Sequence, residues 1–278
     1  MTEKKTEKKD GRRVIEYASL ENDDFAGNDI TRGTLDESFT YVHHGISWRI
    51  AEFFAYYVIA LPLVFLMCKV SFGLRIKNRR AVRKVRKTGF FLYGNHTHFT
   101  DAYTAPLVAF PKKAFIIANP DAVFIPGIRT LVMMLGCIPI PTARRAMPNF
   151  VNAVNTRIEQ GHCVAIYPEA HIWPFYTGIR PFSNNSFHYQ AKLGVPAVPM
   201  TMTYRNRKLF GLIPLNKPGM TLNVGEPIYP DMSLPERERR QKLRDEVYAY
   251  MIKTAGEHEQ YEHIIYVKKE AGEASGQQ

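Results

Sequence analysis

Cysteine is scarce in this chain of 278 residues: Cys68, Cys137 and Cys163 each sit in an apolar setting, at no metal-ligand or disulfide spacing. That excludes a disulfide-stapled secreted scaffold and a cysteine-built zinc site, and a reduced, intracellular chain with its thiols in the core is expected. An apolar stretch is also missing from the start, where Met1 to Arg12 is Lys/Glu-rich, so no secretory signal is expected. The chain stays polar through Thr40. Such a segment buries too little to order itself, so residues 1–46 are expected to be flexible. No internal repeat is present.

Acidic residues are the minority charge: 37 Lys and Arg face 26 Asp and Glu, a net charge of +11, with a sequence pI near 9.5. A basic protein seeks an anionic partner, whether nucleic acid, a phosphate ligand or an acidic membrane. The excess is concentrated. Arg75, Lys77, Arg79, Arg80, Arg83, Lys84, Arg86 and Lys87 follow one another with no acid among them. Nucleic-acid binding through such a run usually brings stacking aromatics, and this one has none, so no nucleic-acid partner is expected.

Immediately before it, Phe53 to Cys68 is apolar without a break. As a helix it covers about 24 Å at roughly 1.5 Å per residue, against a hydrocarbon core of about 30 Å. Pro62 is expected to break its middle. A buried core helix, a full span and a kinked helix bedded in one leaflet all fit these residues. The basic run favours the last, on the cytoplasmic leaflet, because each near-surface cation contributes on the order of 1 kcal/mol of attraction to anionic headgroups. Trp48, Tyr56 and Tyr57 suit the interfacial layer. Residues 47–75 are therefore read as a membrane-associated segment, with Trp48, Tyr56, Arg75, Lys77, Arg79, Arg80, Arg83 and Lys84 as its membrane-binding residues.

From Thr88 onward, short apolar runs alternate with helical patterns, the signature of an α/β fold: a mostly parallel central sheet flanked by helices. Phe90–Tyr93, Ala114–Ala118, Cys163–Tyr167, Ala197–Tyr204 and Thr221–Val224 read as strands. Met147–Gln160 reads as a helix, with Val151, Val154 and Ile158 at helical spacing and Gly161 as its stop. Asp121–Leu135 is apolar but interrupted by Pro126 and Gly127. Ser233-Leu234-Pro235-Glu236 has the form of a capping box for a helix whose stripe is Leu243, Val247 and Met251. The catalytic-type domain is placed at residues 76–265, and residues 266–278 are expected to form a flexible tail.

Chemistry concentrates in Asn95-His96-Thr97-His98-Phe99-Thr100-Asp101. Five positions along one helix amount to roughly 140° of rotation, so His96 and Asp101 meet only if His96 precedes the helix and Asp101 lies in its first turn. There the carboxylate also gains from the helix dipole. Such a pair removes a proton from a hydroxyl: the neutral imidazole accepts it while the carboxylate fixes the tautomer. Two further segments bear on a site. Gly136 to Arg145 is an extended stretch ending in Arg144-Arg145, suited to bidentate phosphate capture, and Tyr167-Pro168-Glu169 ends a strand at the sheet edge where α/β proteins bind ligands.

Taken in order, these segments resemble the glycerolipid acyltransferase family typified by 1-acylglycerol-3-phosphate acyltransferases. Its first motif, Asn-His followed by four residues and Asp, is matched by Asn95, His96 and Asp101. Its third motif is commonly Phe-Pro-Glu-Gly-Thr-Arg, and Tyr167-Pro168-Glu169 occupies that place while Ala170, His171 and Ile172 depart from it. Gly136 to Arg144 resembles the second motif, with its arginine late, and Val195-Pro196-Ala197-Val198-Pro199-Met200 the fourth. The likeness covers roughly Thr88 to Thr203, and family members often carry an apolar helical segment ahead of it.

The resemblance implies a membrane-associated, monotopic enzyme at the cytoplasmic face of the cell membrane. It would move a fatty acyl group from acyl-CoA or acyl carrier protein to the hydroxyl of a lysophospholipid, with 1-acylglycerol 3-phosphate giving phosphatidic acid as the default. Transfer would be direct, with no acyl-enzyme, no cofactor and no metal. His96 would be the general base and Asp101 its orienter. Arg144 or Arg145 would take the phosphate, and Glu169 would lie at the acceptor site. Arg180 is the nearby cation available to replace the missing third-motif arginine. The oxyanion calls for amide donors, with the turn around His96 and the Asn95 side chain as nearest candidates. Two other readings stand beside this one: a metal-dependent hydrolase built on His96, His98, Asp101, His162 and His171, and a non-enzymatic protein binding anionic lipid through Arg75–Lys87.

Overall fold

The computed structural model describes residues 8–25, 33–209, 212–257 and 260–269. Its centre is a seven-stranded sheet in the order Arg75–Lys77, Gly219–Val224, Ala197–Arg205, Phe90–Gly94, Cys163–Ile166, Ala114–Ala118 and Cys137–Pro139. Every pairing is parallel except that of Gly219–Val224 with Ala197–Arg205. The fold is thus the α/β, mostly parallel architecture that the alternating runs imply. Strands covered on both faces must be apolar throughout, and Phe90–Gly94 and Cys163–Ile166 are buried at every position.

The period-2 geometry of a strand sends neighbours to opposite faces. Phe91 and Tyr93 join a core under helices Met147–Glu159, His188–Leu193 and Glu236–Gly256. Phe90 and Leu92 join a second core with helix Asp101–Ala109 and the end of the apolar helix. The stripe Leu243, Val247 and Met251 is buried as its spacing requires. The capping box ahead of it does not form: Pro235 is the N-cap with no side-chain hydrogen bond, and the Ser233 hydroxyl donates instead to Asp231 Oδ1 at 2.6 Å.

Pro62 does not break the apolar helix. Ile46–Phe72 is one helix of 27 residues, about 40 Å long at 1.5 Å per residue. Residues Phe54–Ala60 adopt π-helical register just ahead of the proline, a wider turn that accommodates the ring. Gly73, left-handed at φ 53°, ends the helix. By length and composition the helix could cross a bilayer, and only 6% of its most apolar stretch is buried. Phe54, Ile59, Leu63, Leu66 and Val70 are all more than half exposed.

The expectation of flexible ends needs correcting. Arg12–Tyr17 forms a strand parallel to Ile264–Lys268, giving a small second sheet, so the boundary placed after residue 265 cuts through a strand. The two partners lie about 250 residues apart, and neither could show its pairing locally. Residues 33–45 are also tied down: the Leu35 amide donates to Thr142 Oγ1 at 2.8 Å and the Tyr41 hydroxyl to the Pro139 carbonyl at 3.1 Å. Residues 1–7, 26–32 and 270–278 lie outside the described residues.

Candidate active site

Parallel strands end on the same side, so the segments that follow Phe90–Gly94, Cys163–Ile166 and Cys137–Pro139 share one edge of the sheet. His96 lies on the turn after the first of these, and Asp101 opens helix Asp101–Ala109. His96 Nδ1 is 3.1 Å from Asp101 Oδ2. The same oxygen accepts the amides of Thr97 at 2.7 Å and His98 at 2.9 Å. Three donors converging on one carboxylate oxygen place the ring proton on Nδ1 and leave Nε2 as the lone-pair nitrogen. The Asp101 side chain is 2% exposed and that of His96 17%, so the ring alone opens outward.

Glu169 stands behind the turn. Its Oε2 accepts the His96 amide at 3.1 Å and Arg180 Nη2 at 3.2 Å, and its Oε1 accepts the Arg180 amide at 3.0 Å. Both side chains are fully buried. Burial pushes Glu169 above the usual carboxylate range, opposed first by the Arg180 charge and then by the amides. Arg180 also donates to the carbonyls of His171 and Leu20 and lies 5.1 Å over the Trp173 ring. The structure therefore directs Glu169 and Arg180 inward, as a clamp on the His96 backbone, and neither is turned toward an acceptor or a phosphate. The Trp173 amide donates to the His96 carbonyl at 3.1 Å, and the Phe175 amide to that of Thr97 at 2.8 Å, completing the clamp.

Asn95 is likewise turned inward. It donates to the Met202 carbonyl at 3.1 Å and accepts the Met202 amide at 2.7 Å, which docks the turn on strand Ala197–Arg205. With Asn95 engaged and the amides of His96, Thr97 and His98 held by Glu169 and Asp101, none of the nearest oxyanion donors is free.

Arg144 and Arg145 form a short exposed turn, Arg144–Ala146, on the same edge, unpaired among the described residues. Their strand is three places from that of His96, about 14 Å at the usual strand spacing. The metal-type cluster disperses. His162 precedes strand Cys163–Ile166 at its opposite end, His171 Nδ1 faces Asp24 at 3.3 Å, and His98 Nδ1 is 2.8 Å from the Thr100 hydroxyl. Among the described residues, no three His, Cys, Asp or Glu side chains could hold a metal ion.

Of the residues read as membrane-binding, Arg75, Lys77, Arg79, Arg80, Arg83 and Lys84 are exposed. Tyr56 is not: it is 3% exposed, and its hydroxyl accepts the Ala114 amide at 2.9 Å, fastening the apolar helix to the sheet. Trp48 is half-buried and stacked on His43 at 3.7 Å. In an all-apolar helix, spacing could not tell which aromatics face inward.

Two contributors were not foreseen. Tyr167 stacks on His96 at 4.8 Å, and its hydroxyl donates to the Asp101 carbonyl, bracing both members of the pair. Lys217 Nζ lies 5.7 Å over the Phe72 ring, itself edge-on to His98 at 4.7 Å. The first had a signal, a tyrosine where the resembled family has phenylalanine; the second had none. Directly after Asp101, Ala102 and Tyr103 line an apolar cavity of about 280 Å³, closed by Ala60 and Val64 of the apolar helix and by Ile125 and Leu135.

Comparison with known proteins agrees with this geometry. Residues 74–203 match the family model described as Acyltransferase. Among solved structures, the chain is similar to the crystal structure of the 1-acyl-sn-glycerophosphate (LPA) acyltransferase, PlsC, from Thermotoga maritima, with a TM-score of 0.51 and 18% identity, covering 72% of this chain and 81% of that one. No curated protein sequence matches it. The matched stretch, residues 74–203, includes the histidine-aspartate turn, and the fold is similar to that of a solved acyltransferase.

Proposed function

We propose that this chain is an acyltransferase, moving a fatty acyl group from an acyl thioester, acyl-CoA or acyl carrier protein, to the free hydroxyl of a lysophospholipid. The first candidate acceptor is 1-acylglycerol 3-phosphate, giving phosphatidic acid. The observation that carries this reading is the convergence of His96 Nδ1 and two amides on Asp101 Oδ2. That arrangement leaves Nε2 as a base on a ring that is 17% exposed. As Nε2 takes the hydroxyl proton, the oxygen bonds to the thioester carbonyl carbon; the C–S bond then breaks, and the thiolate recovers the proton from the imidazolium. No acyl-enzyme, metal or cofactor enters this sequence. Holding alcohol and thioester together supplies much of the acceleration.

The apolar cavity beside Ala102 and Tyr103 is suited to an acyl chain. Arg144, Arg145 and Lys217 are the cations proposed to take the acceptor phosphate. The exposed helix Ile46–Phe72 and the basic run are proposed to seat residues 47–75 in the cytoplasmic leaflet of the cell membrane, beside a catalytic domain at residues 76–265.

The test is thiol release from labelled acyl-CoA by purified protein on vesicles carrying a panel of lysophospholipids. His96→Ala is expected to cut turnover by roughly 10²–10⁴-fold while co-sedimentation with vesicles stays unchanged. Undiminished turnover would remove His96 as the base. Arg144→Gln and Lys217→Gln, compared by acceptor KM, separate the candidate phosphate ligands.

A further inference from the structure

Acyl transfer at His96 leaves the opposite edge of the sheet unused. The short 3₁₀ helix Arg79–Val85 comes ahead of strand Phe90–Gly94, and Phe110–Lys112 comes ahead of strand Ala114–Ala118. Both therefore lie at the starts of parallel strands, whereas His96 follows the end of one. A strand of this length sets the two edges about 17 Å apart.

Between the two segments is a cavity of about 420 Å³ whose wall carries Arg79, Arg80, Arg83, Arg86 and Lys112, with no acidic side chain. Two of these cations are already aimed. Arg79 Nη2 donates to the Phe110 carbonyl at 2.7 Å, and Lys112 Nζ donates to the carbonyls of Thr88, at 2.8 Å, and Gly161. The side chains of Arg80, Arg83 and Arg86 make no ion pair or hydrogen bond among the described residues. The acid nearest this run in the fold, Glu226, is held by Lys84 at 2.8 Å. Gathering like charges on one wall is unfavourable unless an anion completes the site.

A second hollow, of about 660 Å³, shares Arg79 and Phe110 with the first and runs along Tyr57, Leu61 and Phe65 of the apolar helix. A cationic chamber and an apolar trough thus meet at one point. The trough opens beside the same helix that exposes Leu63 and Leu66. Charge and shape together match one class of occupant, an anionic amphiphile taken from a bilayer.

We propose that this edge is a second, non-catalytic lipid site that holds one anionic phospholipid, its phosphate against Arg79, Arg83 and Arg86 and one acyl chain along Tyr57 and Phe65. The site rests on the membrane attachment proposed above and not on acyl transfer. It differs from diffuse attraction in that the position of each charge matters, and not only their number.

Native mass spectrometry in detergent tests this without turnover, using an equimolar mixture of dioleoyl phosphatidylglycerol and dioleoyl phosphatidylcholine. Phosphatidylglycerol is chosen because it is not the proposed product. The full chain is expected to retain one phosphatidylglycerol in preference to phosphatidylcholine. Arg83→Gln with Arg86→Gln should weaken retention about tenfold or more. Lys77→Gln with Lys87→Gln, from the same basic run but outside the cavity wall, should change it less than about twofold. Equal loss in both double variants would overturn the site in favour of diffuse charge. So would the absence of any preference between the two lipids, and displacement by millimolar inorganic phosphate would overturn the lipid assignment.

Discussion

The two edges of the sheet handle charge in opposite ways. In the cluster around His96, charged and polar groups are answered from within: Glu169 by Arg180 and two amides, Asp101 Oδ2 by two amides and a ring nitrogen, Asn95 by the Met202 backbone. At the other edge, Arg80, Arg83 and Arg86 have no such partners among the described residues. Groups held in this way are rigid, and what this cluster leaves partly exposed is the His96 ring, while Arg144 and Arg145 stand unpaired among the described residues three strands along. Chemistry needs that kind of preorganisation, whereas capture of an anion needs unanswered cations. The difference supports the proposed division, with catalysis at the His96 turn and lipid holding at the other edge.

The sharpest way to break this division is to remove the charge behind the base while keeping the shape. In Asp101→Asn the amide oxygen, in the place of Oδ2, can still accept the Thr97 and His98 amides and the His96 ring proton, because all three meet one oxygen. Being neutral, it no longer stabilises the imidazolium that forms as Nε2 takes the proton. Turnover is expected to fall by roughly 10²–10⁴-fold, with vesicle binding unchanged. Wild-type kcat in this variant would mean that the pair is structural.

Next in size is the clamp. Arg180→Met strands a buried carboxylate, and the expected cost is about 3–5 kcal/mol in chemical denaturation. Restoring balance with Glu169→Gln in the same chain should recover part of that loss. On the basic edge, Arg83→Met should move stability by no more than about 0.5 kcal/mol, as exposed sites do. Equal costs at the two edges would erase the contrast.

A smaller effect follows pH. Burial holds His98 down to about 4 from an ordinary value of 6.5, with the Asp101 charge opposing and Lys217 adding to the shift. Between those values the unfolded chain binds a proton that the folded chain refuses. Stability therefore rises with pH across the window, and falls by about 3 kcal/mol as pH drops from 6.5 to 4. His98→Gln should flatten this slope in thermal melts at pH 4 to 7. An unchanged slope would place the acid sensitivity elsewhere, with His162 the first alternative, since burial and then the Arg157 charge also hold it near 4.

Much of this architecture is legible in the amino-acid sequence, and what is not legible has physical causes. Buried parallel strands must be apolar throughout, so Phe90–Gly94, Ala114–Ala118 and Cys163–Ile166 announce themselves. Arg75–Lys77 is hidden inside the basic run, because an edge strand turns only Ile76 inward and its cations outward. Arg12–Tyr17 and Ile264–Lys268 are hidden because each finds its partner at the far end of the chain. At the site, the spacing of His96 and Asp101 is readable because both belong to one turn. Glu169 could be placed, but not its orientation, because the groups that hold it are chiefly backbone amides and a side chain eleven residues on.

The same clamp holds a small amount of strain that can be released. Ala170 follows Glu169 at φ 65°, a left-handed conformation that costs a residue with a Cβ roughly 1–2 kcal/mol. The resembled family commonly has glycine there. Ala170→Gly relieves that cost but gives the unfolded chain more freedom, which returns about 0.4–1 kcal/mol. The balance is an expected gain of about 0.5 kcal/mol, read as a small rise in Tm with the Glu169–Arg180 pair intact. No comparable gain should come from glycine at Ala81 in the basic 3₁₀ helix, where the residue is buried and its φ is not left-handed; there the lost methyl and added chain entropy both destabilise. A Tm that falls for Ala170→Gly as it does for Ala81→Gly would mean that the clamp behind His96 stores no strain, and that its rigidity comes from hydrogen bonds alone.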